Sequence, residues 1–177
     1  MMADKLSAAL PAQLPAYWTK ALSMTGGPMV ERNLRTAIAF FLHYYRDIDI
    51  RKKLPSLFKG IDWHQPVQVA RLQKGATVAA FRRVEMATNL SQPMFFTKPG
   101  TSPLALGIVP GGRVYCQYVL QTNTEVLESR VSSFIWTGGS HGWQEETRPL
   151  HYLGAQYIIP VPWKNLDFQR SGSRVQQ

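Results

Sequence analysis

Cysteine is almost missing from this chain: Cys116 is the only one in 177 residues. No internal disulfide framework can form, and no cysteine cluster exists for zinc or iron–sulfur chemistry. The run Val114 to Val119 around it reads as a strand, which makes a packed, inert thiol the expectation. Long apolar stretches are missing as well. The most apolar segment, Ala37 to Tyr45, has about half the length of a membrane span, so a soluble chain is expected. Near the N-terminus Asp4 sits beside Lys5 and two prolines follow. An apolar core leading to a small-residue cleavage site is not there, and a standard secretory signal is therefore not expected.

Acidic residues are scarce. Eleven Asp and Glu stand against 20 Lys and Arg, a formal charge of +9, which points to an anionic partner without choosing among nucleic acid, membrane surface, acidic protein and phosphate-bearing small molecule. The catalytic signatures with the clearest mechanics are also lacking. The sequence has no Gly-x-Gly-x-x-Gly opening a helix, no phosphate loop, no His-Glu-x-x-His, no zinc deaminase pattern and no Gly-x-Ser-x-Gly elbow. The four histidines, His43, His64, His141 and His151, are scattered without metal-ligand spacing, so no metal site is expected. A nucleic-acid-binding or nuclease domain has charge and interspersed aromatics in its favour but no recognition motif and no acidic cluster for magnesium. It is the less favoured reading.

What the chain does contain is an order of elements. Residues 1–60 read as a helical segment, clearest after Gly26-Gly27-Pro28. From there Leu34, Ala37, Ile38, Phe41, Leu42 and Tyr45 recur at helical spacing, predicting an amphipathic helix from about Met29 to Arg46. Beyond residue 66 come short runs of β-branched and aromatic residues punctuated by glycine and proline. Strands are predicted at Val67–Leu72, Thr77–Arg82, Met94–Thr97, Arg113–Leu120, Glu125–Ser129 and Ala155–Ile159. Helices first and strands after predict an α+β fold. Thr137–Arg148, with Gly138, Gly139 and Gly142, reads as a long loop, and residues 169–177 as a flexible polar tail.

The candidate chemistry lies in the strand-rich half. Arg82 and Arg83 end a strand, where a guanidinium fork can grip phosphate, and alternation lets only one of them point inward. Phe96 and Thr97 precede the turn Lys98-Pro99-Gly100-Thr101. Ser129 ends another strand, and Gln156 supplies an amide among apolar neighbours.

The run from Ile61-Asp62 through Pro66-Val67, Leu72 and Lys74-Gly75-Ala76-Thr77 to Phe95-Phe96-Thr97-Lys98-Pro99-Gly100-Thr101 and Leu106-Gly107-Ile108 resembles the domains called polymorphic toxin type 46. The late Gly154-Ala155-Gln156-Tyr157-Ile158-Ile159-Pro160 is similar to their Gly-x-x-Gln-Tyr-x-x-Pro. More distantly the pattern is similar to the tuberculosis necrotizing toxin, an NAD glycohydrolase on an ADP-ribosyltransferase-like scaffold. The resemblance implies an N-terminal helical segment followed, over residues 61–168, by a pair of small, mostly antiparallel sheets enclosing a dinucleotide cleft. It implies NAD+ or NADP+ as substrate, with no separate cofactor. Arg82 or Arg83 would hold the pyrophosphate, Phe96 and Thr97 the nicotinamide, and Gln156 the ribose, with Ser129 a further dinucleotide-binding candidate. Such a toxin is delivered into the cytoplasm of a target bacterium by a specialised secretion system, and it pairs with an immunity protein and a delivery protein. Transferases of this fold carry a Gln-x-Glu or Glu-x-Glu pair, whereas Tyr157 and Ile158 follow Gln156 here. The departure favours hydrolysis over mono-ADP-ribosylation of a protein, unless Glu145 or Glu146 moves in.

Overall fold

The computed structural model describes residues 27–44, 60–83, 95–106, 113–132, 134–136, 143–145, 154–160 and 166–174. Helix α1 spans Pro28–Tyr44. Gly27, with φ of 104°, accepts the first helical hydrogen bond from the Glu31 amide at 3.1 Å. A residue with a Cβ would be strained in that conformation, and the proline that follows loses nothing, because a first-turn N–H has no partner inside the helix. Of the stripe that the spacing predicts, Leu34, Ala37, Ile38 and Phe41 are buried and Leu42 is partly buried, while Tyr45 lies outside the described residues. Val30, Asn33, Ala39 and Phe40 are buried as well. His43 is exposed. The remainder of the expected N-terminal helical segment lies outside the described residues.

Among the described residues nine strands follow: β1 (Gln68–Leu72), β2 (Thr77–Arg83), β3 (Phe95–Phe96), β4 (Arg113–Leu120), β5 (Thr124–Arg130), β6 (Phe134–Trp136), β7 (Trp143–Glu145), β8 (Ala155–Ile158) and β9 (Leu166–Arg174). All pairings are antiparallel. The strands form a four-stranded sheet in the order β1-β5-β8-β3, a three-stranded sheet β2-β4-β9, and the pair β6-β7. The fold is α+β.

Two expectations change. Trp143–Glu145 falls inside the predicted loop yet pairs with Phe134–Trp136, because a three-residue strand needs only one cross-strand partner and leaves no periodic trace in sequence. Residues 169–174 were expected in a polar tail and instead continue β9 against β4. Backbone ladder bonds hold such a strand whatever its polarity.

Among the described residues a backbone bridge joins the two larger sheets. The chain leaving β3 turns from β8 to β2, where Ala79 and Thr97 exchange amide-to-carbonyl bonds of 2.9 and 2.8 Å. Residues of α1 and both sheets, among them Ile38, Phe41, Val78, Phe96, Tyr118, Leu127 and Ile158, share one hydrophobic core.

Cross-strand register assigns the two faces of the four-stranded sheet. Val126, Glu128, Tyr157 and Phe96 lie on one face, since Glu128 pairs with Tyr157 and Phe96 with Tyr157. Phe96 meets Tyr118 of β4 edge-on at 5.6 Å, so this face looks at the three-stranded sheet. Glu125, Leu127, Ser129, Gln156 and Ile158 occupy the opposite face, and Tyr44 of α1 donates to Glu125 at 2.5 Å. That face lies under the helix.

Candidate functional site

On β2, the register of Val78 with Tyr118, Ala80 with Cys116 and Arg82 with Val114 puts these six residues on one face of the three-stranded sheet. It is the face that meets Phe96. Arg82 therefore points inward, only 4% exposed, with Nη1 approaching the Tyr118 hydroxyl at 3.5 Å. Burial pushes the Tyr118 phenol up to about 12, against the opposing pull of Arg82. The hydroxyl stays protonated near neutral pH and able to donate. Burial also raises the Cys116 thiol, which keeps it a packed neutral group. The product is an inward-facing trio of guanidinium, phenol and aromatic wall formed by Arg82, Tyr118 and Phe96.

Arg83, one residue later, faces the other way and is exposed. Its partner across the ladder is Arg113, whose Nη1 donates to the Phe81 carbonyl at 3.2 Å. Burial first, and then the charge of Arg83, lowers the Arg113 pKa from its ordinary value. Phe81 and Tyr115, whose rings lie 5.4 Å apart, share that face.

Thr97 stands where the sheets join and is fully buried. Its hydroxyl lies 3.0 Å from the Ala155 carbonyl and 2.9 Å from the Thr101 hydroxyl, and it thereby fixes the turn after β3 to the start of β8. Gly154 sits beneath that turn. A Cβ there would come within 3.3 Å of the Ala105 carbonyl oxygen, whose hydrogen bond with the Gly154 amide is 2.8 Å.

Gln156 and Ser129 are brought together, but on the helix-side face, apart from Arg82 and Phe96. Gln156 is 2% exposed. Its Nε2 meets the Gly60 carbonyl at 2.8 Å, the Ser129 hydroxyl at 3.2 Å and the Arg130 carbonyl at 3.3 Å. Gly60 begins the segment whose Ile61 bridges Val131, so the amide ties that segment to the end of β5. Its Oε1 receives no hydrogen bond from the described residues.

Of the residues singled out from sequence, Arg82, Phe96, Thr97, Ser129 and Gln156 are buried and Arg83 is exposed, while Tyr118, Arg113 and Asn33 were not singled out. Tyr118 was legible only as a core strand residue, and its meeting with Phe96 depends on a long-range contact. Among the described residues no three His, Cys, Asp or Glu side chains gather as metal ligands, and no helix is long and apolar enough to cross a membrane.

This arrangement, a helix over a four-stranded antiparallel sheet stitched to a three-stranded one, recurs in a known protein. The structure of Tse6 in complex with Tsi6 superposes with a TM-score of 0.59 and 22% identity, covering 81% of this chain and 98% of that one. The structure of Rhs1-CT in complex with its cognate immunity protein RhsI1 gives a TM-score of 0.41 and 15% identity, covering 68% and 88%. The first likeness establishes a shared fold, and the second adds nothing to it. No family model matches the sequence, and no curated protein matches it.

Proposed function

We propose that this chain is an interbacterial toxin domain that hydrolyses NAD+ or NADP+ to nicotinamide and ADP-ribose or its phosphate. In this reading it is a polymorphic toxin of type 46, carried into the target cytoplasm by a delivery protein and restrained in its producer by an immunity protein. The fold shared with Tse6, a protein solved with a bound partner, supports the reading. So does the motif resemblance over residues 60 to 162. The observation that carries it is the inward-facing set of Arg82, Tyr118 and Phe96 between the two sheets.

A pyrophosphate needs a fixed cation, and Arg82 is held by packing and by Tyr118. Nicotinamide is flat and apolar with a polar amide, a match for the Phe96 ring with the Tyr118 hydroxyl beside it. Hydrolysis breaks the bond between the ribose anomeric carbon and the nicotinamide nitrogen. Water adds to that carbon, its proton passes to solvent, and nicotinamide leaves as a neutral base. The ribose gains oxocarbenium character on the way, so groups that hold its hydroxyls stabilise the transition state. The motif resemblance would assign this work to Gln156, but its amide is buried on the helix-side face, away from Arg82 and Phe96. Its Nε2 is anchored on the Gly60 and Arg130 carbonyls, so Oε1 is the end left to accept from a ribose hydroxyl, and a catalytic role requires the substrate to reach that face.

The test is direct. Purified chain is incubated with NAD+ and NADP+ in separate reactions, with and without protein acceptors, and free nicotinamide is followed along with label transfer. Nicotinamide release without acceptor labelling is the expected result. Release that requires an acceptor would make the chain a mono-ADP-ribosyltransferase, and absence of release from both dinucleotides would end the proposal.

A further inference from the structure

We infer that Arg83 and Arg113 together form a second anion site, suited to a phosphate monoester, and that in the reading proposed above, on which this rests, it receives the 2′-phosphate of NADP+. The two residues are direct cross-strand partners at the end of the β2-β4 ladder, and alternation puts both side chains on the same face. Like charges placed directly opposite one another destabilise a sheet. Neither guanidinium forms an ion pair with a carboxylate among the described residues. Arg113 is partly buried and holds only the Phe81 carbonyl, which leaves most of its five donors for other partners.

Two adjacent guanidiniums without a counter-charge are what a dianion requires. Each fork offers parallel N–H donors to a tetrahedral phosphate. Burial of Arg113 beside a second cation means that a bound anion relieves a repulsion already present in the empty protein. The pyrophosphate carries one charge on each phosphorus and is assigned to Arg82 on the opposite face. A monoester phosphate near neutral pH carries close to two charges, which matches the pair and sets NADP+ apart from NAD+. Arg82 and Arg83 are consecutive in sequence and point to opposite faces, so the strand end presents cations on both of its sides. One extended dinucleotide passing that end can meet both.

Two measurements test this. The first compares kcat/KM for NADP+ and NAD+ in the wild-type chain and in Arg83→Gln and Arg113→Lys, each checked by thermal melting. NADP+ should be preferred by about 10- to 100-fold, the range of one or two hydrogen bonds to a charged group, and the preference should collapse in either variant. The second titrates adenosine 2′-monophosphate and adenosine into the same proteins by calorimetry and needs no turnover. The monophosphate should bind the wild-type chain more tightly than adenosine does, and the advantage should vanish in both variants. Equal kcat/KM for the two dinucleotides, or an advantage unchanged in folded variants, would overturn the site. If neither dinucleotide turns over while the monophosphate binding behaves as stated, the hydrolase reading fails and the anion site stands.

Discussion

The two faces of the four-stranded sheet use buried polar groups in opposite ways. Under α1, donors are spent on backbone. Asn33 Nδ2 donates to the Trp63 and Gln65 carbonyls at 2.9 and 2.7 Å, and its Oδ1 accepts from the Val67 amide at 3.2 Å. Gln156 does the same for Gly60 and Arg130. Toward the second sheet, Arg82 and Tyr118 meet side chain beside side chain, and on the other face of that sheet Arg83 and Arg113 stand opposite each other. The first pattern closes a structure, because each amide replaces water for carbonyls that would otherwise be buried without a partner. The second sets a guanidinium beside a phenol and, at the end of the β2-β4 ladder, two guanidiniums opposite each other with no carboxylate paired to them among the described residues. Polar burial alone therefore does not mark a site. What distinguishes the two regions is that the helix-side amides are spent mainly on backbone carbonyls, whereas Arg82 meets a phenol and Arg83 faces a like charge.

The largest test of this contrast is Asn33→Ala. It removes both donors and the acceptor that the fully buried Asn33 offers the 63–67 segment, which should cost about 2–4 kcal/mol of stability, read as a lower urea midpoint at unchanged slope. Asn33→Asp should be worse, since a carboxylate would face two carbonyl oxygens. A midpoint unmoved by either change would mean that the helix-side amides are not structural.

Gln156→Ala sharpens the same line. Loss of the anchors of Gly60 and Arg130 predicts about 2–3 kcal/mol of destabilisation, so the variant must be assayed well below its melting temperature. If Oε1 also holds the ribose, turnover by the folded variant should fall by about 100-fold. Destabilisation with unchanged turnover would confine Gln156 to the structural class and move the chemistry to the other face.

On that other face, Arg82→Lys keeps the charge and loses the fork. KM for NAD+ should rise by about 10-fold with a smaller change in kcat, because a pyrophosphate contact exists before and during reaction. Arg83→Lys should affect NAD+ less. Equal effects would mean that the register does not decide which arginine reaches the substrate.

The sequence carried the local half of this picture. Helix spacing located the start of α1 to within one residue, and Arg113–Leu120 was predicted as it stands, because alternating burial and helical periodicity are written into neighbouring residues. Asn33 was invisible for the opposite reason. It breaks an apolar stripe, and only the loop at 63–67, some thirty residues away, explains an amide there. Arg82 against Arg83 was open to the same degree, since alternation says that one points inward and only pairing with β4 says which. Gln156 was located in the right strand, while the face it occupies depends on where α1 lies. The expected partners and substrate rest on motif resemblance and not on periodicity.

The smallest effect comes from Tyr44, which joins the helix to the sheet edge by donating to Glu125. Burial raises its phenol well above the ordinary value of 10.0, and the hydrogen bond and negative charge of Glu125 raise it further. A group whose pKa is raised by folding contributes stability that is complete below its unfolded value and lost as pH climbs toward the folded one. Tyr44→Phe should accordingly melt lower than wild type by about 2 °C at pH 7 to 9, as expected for a partly exposed hydrogen bond in a chain of this length. That gap should narrow steadily above pH 10. Tyr118 and Tyr157 also have raised values, but both proteins retain them, so the difference between the two melting curves isolates Tyr44. A gap that stays constant through pH 11 would show that the contribution of Tyr44 is ring packing against Phe40, 4.8 Å away, and not the proton it shares with Glu125.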